Sequence, residues 1–274
     1  LLVSMPAANG FVFGHPRFDW MYRTSPQESL LGRSIYWPRG LGVGGSSLIN
    51  GMVYIRGNRR DYDGWADGGA VGWSYAHVLP YFKKSEGSWR GDDDYHASDG
   101  PLKTTPAGNF CALDEMFLEA ATSTGYAANQ DFNGPVQCGF GRFDVNVWKG
   151  RRMDSRFAFL RPVQARRNLC ILTRTRALRL CIENGTARGV DIIDARGSVA
   201  NVMAHGDIIL CLGSISTPQV LMLSGIGEAN QLRRIGVRVS SDLPGVGKGL
   251  QDHVQVPLQY HCSDPRLTFD RFQR

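Results

Sequence analysis

The sequence predicts an α/β fold, and three features of the chain support that prediction. Four glycines fall within residues 40–45 and lead into a short apolar run, a pattern typical of backbone that contacts a ligand. Residues 207–212 form a continuous apolar run, which predicts a strand buried on both faces. That run leads into a small-residue turn at Gly213 and a helix start at Thr217 and Pro218, the arrangement found at the ligand-binding edge of an α/β sheet.

The composition fits a folded protein of one or two domains. The 274 residues are 42% apolar, enough to bury a sizeable core, and no apolar run is long enough to cross a membrane. The cysteines are scattered without a C-x-x-C pair, which argues against a zinc site or a disulfide framework and fits reduced thiols in an intracellular protein. The chain starts at Leu1 without an initiator Met or a signal pattern, so we expect a fragment.

The net charge is +6, and much of the excess lies between Lys149 and Arg179. No aromatic stacking pattern or recognition helix accompanies these charges, so the sequence predicts no nucleic-acid partner. We expect a solvated basic face, which leaves contact with an anionic membrane surface or with another chain open. The arginines concerned include Arg151, Arg152, Arg156, Arg161, Arg166 and Arg167.

Gly, Pro and Asp are frequent in three stretches of the first half of the chain. Residues 1–35 and 87–109 are predicted to be mainly loops, and residues 61–72 a turn-rich link. Between them, Ser74 predicts the N-cap of a helix from Tyr75 to about Lys84.

Apolar residues recur at helical spacing between 112 and 124. They predict an amphipathic helix that packs on the core and ends at Gly125. From Asn168 the pattern changes to short β-runs separated by Asn184-Gly185 and Arg196-Gly197, the signals of a meander. The predicted strands are residues 169–172, 177–182, 189–194 and 199–203, followed by the buried run at 207–212.

The glycine-rich segment predicts an anion site. Ser46 and Ser47 could cap a helix over residues 48–55, whose unpaired N–H groups and positive dipole end would suit a cofactor phosphate. The spacing formally satisfies G-x-G-x-x-G, but Pro38 and Arg39 precede it where a nicotinamide-binding turn needs a buried strand. A tight surface loop with no ligand remains the alternative.

Two long segments resemble the signatures of the glucose-methanol-choline (GMC) family of FAD-dependent alcohol oxidoreductases. The first is PRGLGVGGSSLINGMVYIRGNRRDYDGWA, and the second is GSISTPQVLMLSGIGEANQLRRIGV followed by LPGVGKGLQDH. The resemblance covers nearly the whole chain and is strongest to the family's choline-oxidising members. It implies oxidation of a primary alcohol to an aldehyde, with hydride transfer to flavin N5 and an electron acceptor that is oxygen, a quinone or a carrier protein.

The resemblance also implies the domain organisation. Residues 1–75 and 155–255 would form an incomplete, Rossmann-like FAD-binding domain that lacks the family's N-terminal strand-helix-strand unit. Residues 76–154 and 256–274 would form part of an α+β substrate domain. An intracellular location is expected, either cytoplasmic or peripheral to the inner membrane, which would be the mitochondrial one in a eukaryote.

Several residues correspond to family positions at the flavin. Asn50 is the expected polar contact, because an amide both donates and accepts hydrogen bonds; a hydrogen bond to its own backbone is the alternative. Ala177 occupies a position near the adenine where a valine is common, and a plain core alanine is the alternative. The cofactor-binding residues implied are Gly42, Gly44, Gly45, Ser46, Asn50, Gly51, Met52, Val53, Ala177 and Gly213.

The attachment of the flavin depends on Ile49. Some family members bind FAD covalently through a histidine one position before the asparagine of the first signature. Ile49 stands there and has no nucleophilic atom. We therefore expect non-covalent FAD, with the isoleucine packed in the core.

No catalytic or metal-ligating residue is assigned to the chain. The family's histidine base is expected beyond Arg274, and His253 beside Asp252 is interpreted as structural. The chain alone is therefore expected to be inactive. The alternatives are a truncated, non-catalytic fragment or a GMC dehydrogenase for another alcohol, because Leu41, Val43 and the pair Asp154 and Arg156 depart from the family pattern.

Overall fold

The computed structural model describes residues 2–108, 112–253, 258–264 and 267. The chain divides into two compact units, one formed by residues 1–169 with 261–274 and the other by residues 170–260. Cys111 and most of the predicted segment 256–274 lie outside the described residues. These units are defined by compactness, whereas the predicted domains are defined by which part binds FAD and which part binds substrate. The predicted domain organisation therefore stays a prediction.

The first unit is built from short strands, three α-helices and several 3-10 turns. Its α-helices are α1 (Arg59–Asp67), α2 (Tyr75–Ser85) and α3 (Ala112–Ser123). Its strands are β1 (Tyr22–Arg23), β2 (Tyr36–Trp37), β3 (Val53–Tyr54), β4 (Glu86–Gly87), β5 (Leu102–Lys103), β6 (Thr105–Pro106), β7 (Asp144–Val145), β8 (Val147–Trp148) and β9 (Arg151–Arg152).

The strands of the first unit form small sheets. In the three-stranded sheet, β7 lies in the centre and pairs antiparallel with β3 and β6, with Val53 opposite Val145. The other pairs are β1 with β2, β4 with β5 and β8 with β9. Val12, Leu48 and Ile49 form a buried apolar cluster in this unit. Leu2, Val3 and Phe18 pack against the cluster.

The prediction of a turn-rich link at residues 61–72 is wrong over its first half. Helix α1 occupies Arg59–Asp67, and the Asn58 side chain caps it by accepting from Arg60 N. Asp61 Oδ2 accepts in return from Asn58 N at 3.0 Å, which completes a capping box. The Asn-x-x-Asp spacing was the local signal, and the glycines after Asp67 obscured it.

Helix α2 confirms the predicted helix, but the role of Ser74 differs from the expectation. Ser74 is the N-cap residue, yet its hydroxyl bonds His77 Nδ1 at 2.6 Å instead of a backbone N–H. The Ser74 carbonyl accepts from the backbone N–H groups of His77 and Val78. Pro80 lies inside the helix.

Helix α3 confirms the predicted position, whereas its predicted packing on the core is wrong for the described residues. Ala121 is its buried residue, while Met116 and Phe117 are 54% and 61% exposed. An amphipathic pattern identifies the apolar face but not the element that covers it. Gly125 ends the helix as predicted, with φ of 92° in the left-handed region.

The second unit contains the predicted meander. Its three antiparallel strands lie in chain order, and the turns at Asn184-Gly185 and Gly197 have positive φ. Ser224 Oγ accepts from Leu180 N and donates to Val220 O, which joins the sheet to the following helix. The elements are β10 (Thr175–Glu183), β11 (Thr186–Asp194), β12 (Val199–Met203), α4 (Gly213–Leu223), β13 (Ile226–Gly227), α5 (Ala229–Arg234) and β14 (Ser241–Asp242).

Two predicted strands of this region are not formed. Residues 169–172 and 207–212 pair with no described strand, and Ile209 is 82% exposed instead of buried on both faces. A parallel strand exists only beside a neighbour that takes its hydrogen bonds. Apolar composition alone therefore did not predict a strand here, because it does not specify the partner that the strand needs.

The start of the second motif's helix was also predicted wrongly. Helix α4 begins at Gly213, whose φ is 82°, so Thr217 is not the N-cap and Pro218 lies inside the helix. Leu212 occupies the N-cap position without a side-chain cap. The helix ends before Gly225, whose φ of 83° lies in the left-handed region. No helix among the described residues is both long and apolar enough to cross a membrane.

Candidate functional site

The glycine-rich segment folds as a tight loop followed by a single 3-10 turn, Gly45–Leu48. The predicted helix over residues 48–55 is therefore wrong, and so is the predicted capping by Ser46 and Ser47. Ser46 Oγ accepts from Gly40 N at 3.1 Å, and Ser47 Oγ donates to Gly44 O at 2.5 Å. Both hydroxyls close the loop on itself, which leaves no cap for a longer helix.

Close backbone approach explains the glycine content. A Cβ on Gly40 would lie 2.1 Å from Gly45 O, so no side chain fits there. Gly42, Gly44 and Gly45 have φ of 143°, 110° and 54°, conformations that favour glycine. The loop is thus fixed by sterics and by hydrogen bonds before any ligand is considered.

The loop presents free backbone donors. The N–H groups of Gly42, Val43 and Gly44 donate to no described residue, and Gly42 and Val43 are exposed. Consecutive unpaired N–H groups on a glycine loop can bind an anionic or polar group closely. The geometry fits the phosphate or ribityl part of a dinucleotide cofactor, although the donors come from a loop and not from the predicted helix terminus.

The residues after the loop anchor it to the core. Leu48 and Ile49 are buried, and Ile49 is 2% exposed in the cluster with Val12. The prediction that Ile49 packs in the core is confirmed. Because both neighbours point inward, Asn50 and Gly51 lie on the exposed side of the turn.

Arg152 holds the exposed Asn50. Its Nη1 donates to the main-chain oxygen of Asn50 at 2.6 Å and to the side-chain Oδ1 at 2.7 Å. Asn50 Oδ1 also accepts from Met52 N at 3.3 Å. The alternative of a hydrogen bond to the local backbone is therefore present, together with an arginine contact that the sequence did not indicate.

Arg152 corrects the prediction of a solvated basic face at one position. It is 1% exposed, whereas Arg151, Arg161, Arg166 and Arg167 are exposed as expected. Burial lowers the pKa of Arg152, and the charge of the buried Asp154 acts in the opposite direction. Asp154 thus supplies a compensating charge for the buried guanidinium of Arg152.

Asp154 also organises the chain beside the glycine loop. Its Oδ1 accepts from Phe157 N at 2.9 Å, and its Oδ2 lies 3.4 Å from Arg156 Nη2. Ser155 N donates to Ser47 Oγ at 2.9 Å. The Ser155 contact joins this segment to the loop, while Asp154 pairs with Arg156 and Phe157 within the segment.

Met52 and Val53 lead out of the site into the sheet. Met52 is buried and has φ of 63°, unusual for a residue with a side chain, and its carbonyl accepts from Asn146 N at 2.9 Å. Val53 is 47% exposed at the start of β3. The two residues therefore fix the direction in which the chain leaves the loop.

Residues 21–255 match the protein family described as GMC oxidoreductase. The chain belongs to the GMC oxidoreductase family. This family match includes the glycine loop and its supporting contacts from Asn146 to Phe157. It confirms the resemblance drawn from the two signature segments.

Curated relatives of the GMC chain are choline dehydrogenases. The chain is 42% identical to the oxygen-dependent choline dehydrogenase of Brucella anthropi, over 98% of this chain and 49% of that protein. It is 41% identical to the mitochondrial choline dehydrogenase of Homo sapiens, over 96% and 44%. The chain thus spans about half the length of the curated relatives it matches.

Solved structures of GMC oxidoreductases share the fold of this chain. Pyridoxine 4-oxidase from Mesorbium loti matches with a TM-score of 0.83 at 34% identity, over 88% of this chain and 48% of that one. An FAD-dependent oxidoreductase from Chaetomium thermophilum matches with a TM-score of 0.84 at 31% identity, over 91% and 45%. The predicted α/β, FAD-binding fold of the GMC type is confirmed for the half that the chain spans.

The remaining predicted GMC contacts lie in the second unit. Ala177 is half-buried in β10, opposite Ile192 and beside a β-bulge. Gly213 is exposed at the first residue of α4. His253 is exposed, and its backbone N–H donates to Oδ1 of its neighbour Asp252 at 2.9 Å; the structural interpretation of this pair stays a prediction.

A buried network of charged residues in the first unit was missed by the sequence analysis. His96 has Nδ1 at 3.0 Å from Glu86 Oε1 and Nε2 at 2.9 Å from Asp131 Oδ2. Arg56 Nη2 lies 2.8 Å from Glu86 Oε2. Burial opposes the charged imidazole, but hydrogen bonds and charges of the two carboxylates outweigh it and raise the pKa of His96.

The network is joined to the GMC signature through Asn133. Asn133 Oδ1 accepts from Arg56 N at 2.8 Å, and its Nδ2 donates to Tyr54 O at 3.0 Å. Burial and the nearby Glu86 charge raise the pKa of Tyr54 to about 12. The first signature contains Arg56 but carries no sign of Glu86 or His96, because the three are brought together by tertiary structure.

Proposed function

We propose that the complete protein is an FAD-dependent oxidoreductase that oxidises a choline-like primary alcohol to an aldehyde. The observation that supports this most strongly is the 42% identity to an oxygen-dependent choline dehydrogenase across 98% of the chain. The matched region includes the glycine loop, Asn50 and the second signature. The truncated, non-catalytic alternative has no comparable observation in its favour.

A second substrate class has one specific observation behind it. The chain is 34% identical to an enzyme named for pyridoxine, over 88% of its length. Both names denote alcohols, so the reaction class is shared while the substrate differs. The higher identity to choline dehydrogenases favours choline, and the departures at Asp154 and Arg156 keep another primary alcohol as the alternative.

We assign the cofactor contacts of this chain as follows. The free N–H groups of the loop at Gly42 and Gly44, with Gly45 and Ser46 beside them, would bind the FAD backbone. The exposed Asn50 and the segment Gly51, Met52 and Val53 would lie beside the flavin ring. Ala177 would contact the adenine end, and Gly213 is proposed as a further cofactor contact of the second unit.

Ile49 supports non-covalent attachment of the flavin. It is 2% exposed and packed against Leu48 and Val12, so it neither has a nucleophilic atom nor faces the ligand side of the turn. FAD would then be held by hydrogen bonds, dipoles and burial alone.

FAD supplies the hydride acceptor of the reaction, and this chain's residues bind and orient it. As the family resemblance implies, we propose that the proton-accepting histidine lies beyond Arg274 and that His253 is not the base. We therefore expect the 274-residue chain alone neither to retain FAD nor to oxidise alcohols. The proposed FAD-binding domain is residues 1–75 and 155–255, and the proposed substrate region is 76–154 and 256–274.

We also propose a peripheral membrane contact for the complete protein, while the names of its relatives bear on the electron acceptor and the location. A relative is named as mitochondrial and another as oxygen-dependent. The exposed arginines at 151, 161, 166 and 167 would suit a peripheral contact with an anionic membrane surface. Sedimentation of the complete protein with anionic vesicles at low but not at high salt is the expected result, and no sedimentation at either salt would contradict it.

A substrate panel tests the proposed function. Purified complete protein, with FAD and an artificial electron acceptor, should reduce the acceptor faster with choline than with glucose, pyridoxine or an aryl alcohol. The G42A variant, whose Cβ would lie 3.0 Å from Leu48 Cδ1, should lose activity with every substrate together. An inert response to choline with turnover of pyridoxine would move the assignment to the second class.

A further inference from the structure

We infer that Arg152 is a positioning residue that fixes the orientation of the Asn50 amide, so that Asn50 offers a hydrogen-bond donor, and not an acceptor, to the flavin. The inference rests on the proposed function for the presence of flavin at Asn50. Its structural part concerns only residues of the first unit and can be tested without a cofactor.

The Asn50 amide has one orientation compatible with its surroundings. Its Oδ1 accepts from Arg152 Nη1 at 2.7 Å and from Met52 N at 3.3 Å, which fills both lone pairs of the oxygen. Turning the amide over would place two N–H donors against a guanidinium and a backbone N–H. The loss of a charge-assisted hydrogen bond, with donor facing donor, makes that orientation unfavourable.

The amide nitrogen is left for a ligand. Asn50 Nδ2 donates to no described residue, and Asn50 is exposed while its neighbours Leu48 and Ile49 are buried. Because Oδ1 of the Asn50 amide faces Arg152 and Met52 N, Nδ2 of the same amide must point away from Arg152. Asn50 therefore presents two N–H bonds on the outer side of the turn.

Arg152 is held firmly enough to act in this way. It is 1% exposed, and it donates through Nε to Val3 O at 3.0 Å and through Nη2 to Asn9 Oδ1 at 2.6 Å. Its Nη1 reaches Ser47 O at 3.3 Å as well as the two oxygens of Asn50. Acceptors from three separate segments thus fix the guanidinium, and lysine could not reproduce this planar set.

The first arm of the test uses flavin-free protein. Selective 15N labelling of asparagine gives the side-chain amide signals, and N50A identifies those of Asn50. We expect R152K to shift these two signals. The control N9A removes another acceptor of the same guanidinium and should leave them in place. Unchanged Asn50 signals in folded R152K would overturn the inference.

The second arm measures the dissociation constant of FAD for the complete protein. N50A and R152K should each weaken FAD binding about 5- to 10-fold, the loss expected for one hydrogen bond. The double variant should be no weaker than either single one, because Arg152 acts through Asn50. Additive losses would show a general structural role for Arg152 and overturn the inference.

N50D covers the case in which R152K does not fold. The new carboxylate still pairs with Arg152, but it offers only acceptors to the flavin. FAD binding should weaken at least as much as in N50A, and wild-type affinity in N50D would overturn the donor assignment. The Asn50 signals could shift in R152K while N50A leaves the dissociation constant of FAD unchanged. That result would support the positioning of Asn50 by Arg152 and would contradict the proposed contact between Asn50 and the flavin.

Discussion

The imidazole of His96 and the carboxylate of Glu86 lie 3.0 Å apart, and neither side chain is exposed to solvent. Asp131 bonds the other ring nitrogen, so both nitrogens face acceptors and the imidazole is held as a cation. Arg56 bonds Glu86 from the other side. Two positive and two negative groups thus form a network that joins three segments of the first unit.

This arrangement predicts that the first unit loses stability as the pH rises above about 6.5, the pKa of a histidine in the unfolded state. The folded-state pKa of His96 is raised, so its contribution is complete below the unfolded-state value of about 6.5 and is lost as the pH rises through the folded value. Urea unfolding at a series of pH values should show this decrease in wild type. It should be absent in H96Q and retained in H77Q, which alters an exposed histidine. An identical pH profile in H96Q and wild type would contradict the prediction.

Removing the charge of Glu86 should be costly. E86Q leaves the buried Arg56 and His96 without their shared counter-charge, so the free energy of unfolding should fall by about 3–5 kcal/mol. R59A, which breaks the exposed pair of Arg59 with Asp63, should cost about 0.5 kcal/mol or less. Denaturant unfolding followed by tryptophan fluorescence measures both, and equal losses in the two variants would refute the distinction.

Gly40 should tolerate no side chain. In G40A the methyl group would meet Gly45 O at 2.1 Å, so the loop must open and the free donors at Gly42 and Gly44 must move. We expect loss of FAD retention by the complete protein, measured as flavin absorbance after gel filtration. G64A is the control, because Gly64 lies in α1 with no atom within 4 Å of a new Cβ. That variant should retain FAD and gain about 0.5–1 kcal/mol of stability; full FAD retention by G40A would show that the loop is not fixed by contact.

Ile49 makes two separate predictions. Because it is buried, I49A should destabilise the first unit by about 2–5 kcal/mol in urea unfolding. Because Ile49 cannot form a covalent bond to flavin, acid precipitation of the complete protein should release all FAD to the supernatant. Yellow colour in the denatured pellet, or a peptide with the mass of a flavin adduct, would contradict non-covalent attachment.

Local signals predicted the local elements. The meander of β10–β12 follows from two turns with glycine at positive φ, and each turn is specified by adjacent residues. Helix α3 follows from its apolar spacing, and helix α2 from the N-cap position of Ser74. The glycine loop was found because close backbone approach demands glycine, although its 3-10 turn was taken for a longer helix.

Features made by distant residues could not be predicted in this way. Arg152 lies 102 residues from Asn50, and nothing in a run of arginines distinguishes the buried one. His96 and Glu86 lie in or beside a loop-rich stretch whose polar composition predicts side chains exposed to solvent. Ile209 shows the converse, because an apolar run predicted burial that depends on a neighbouring strand.

The central claim is that the complete protein passes hydride from a choline-like alcohol to bound FAD. Anaerobic addition of choline to the purified, FAD-loaded protein tests this directly, without an assumption about the electron acceptor. The account predicts loss of the oxidised flavin absorption band and formation of one aldehyde per flavin. An unchanged flavin spectrum with choline, in protein whose flavin dithionite reduces normally, would contradict it.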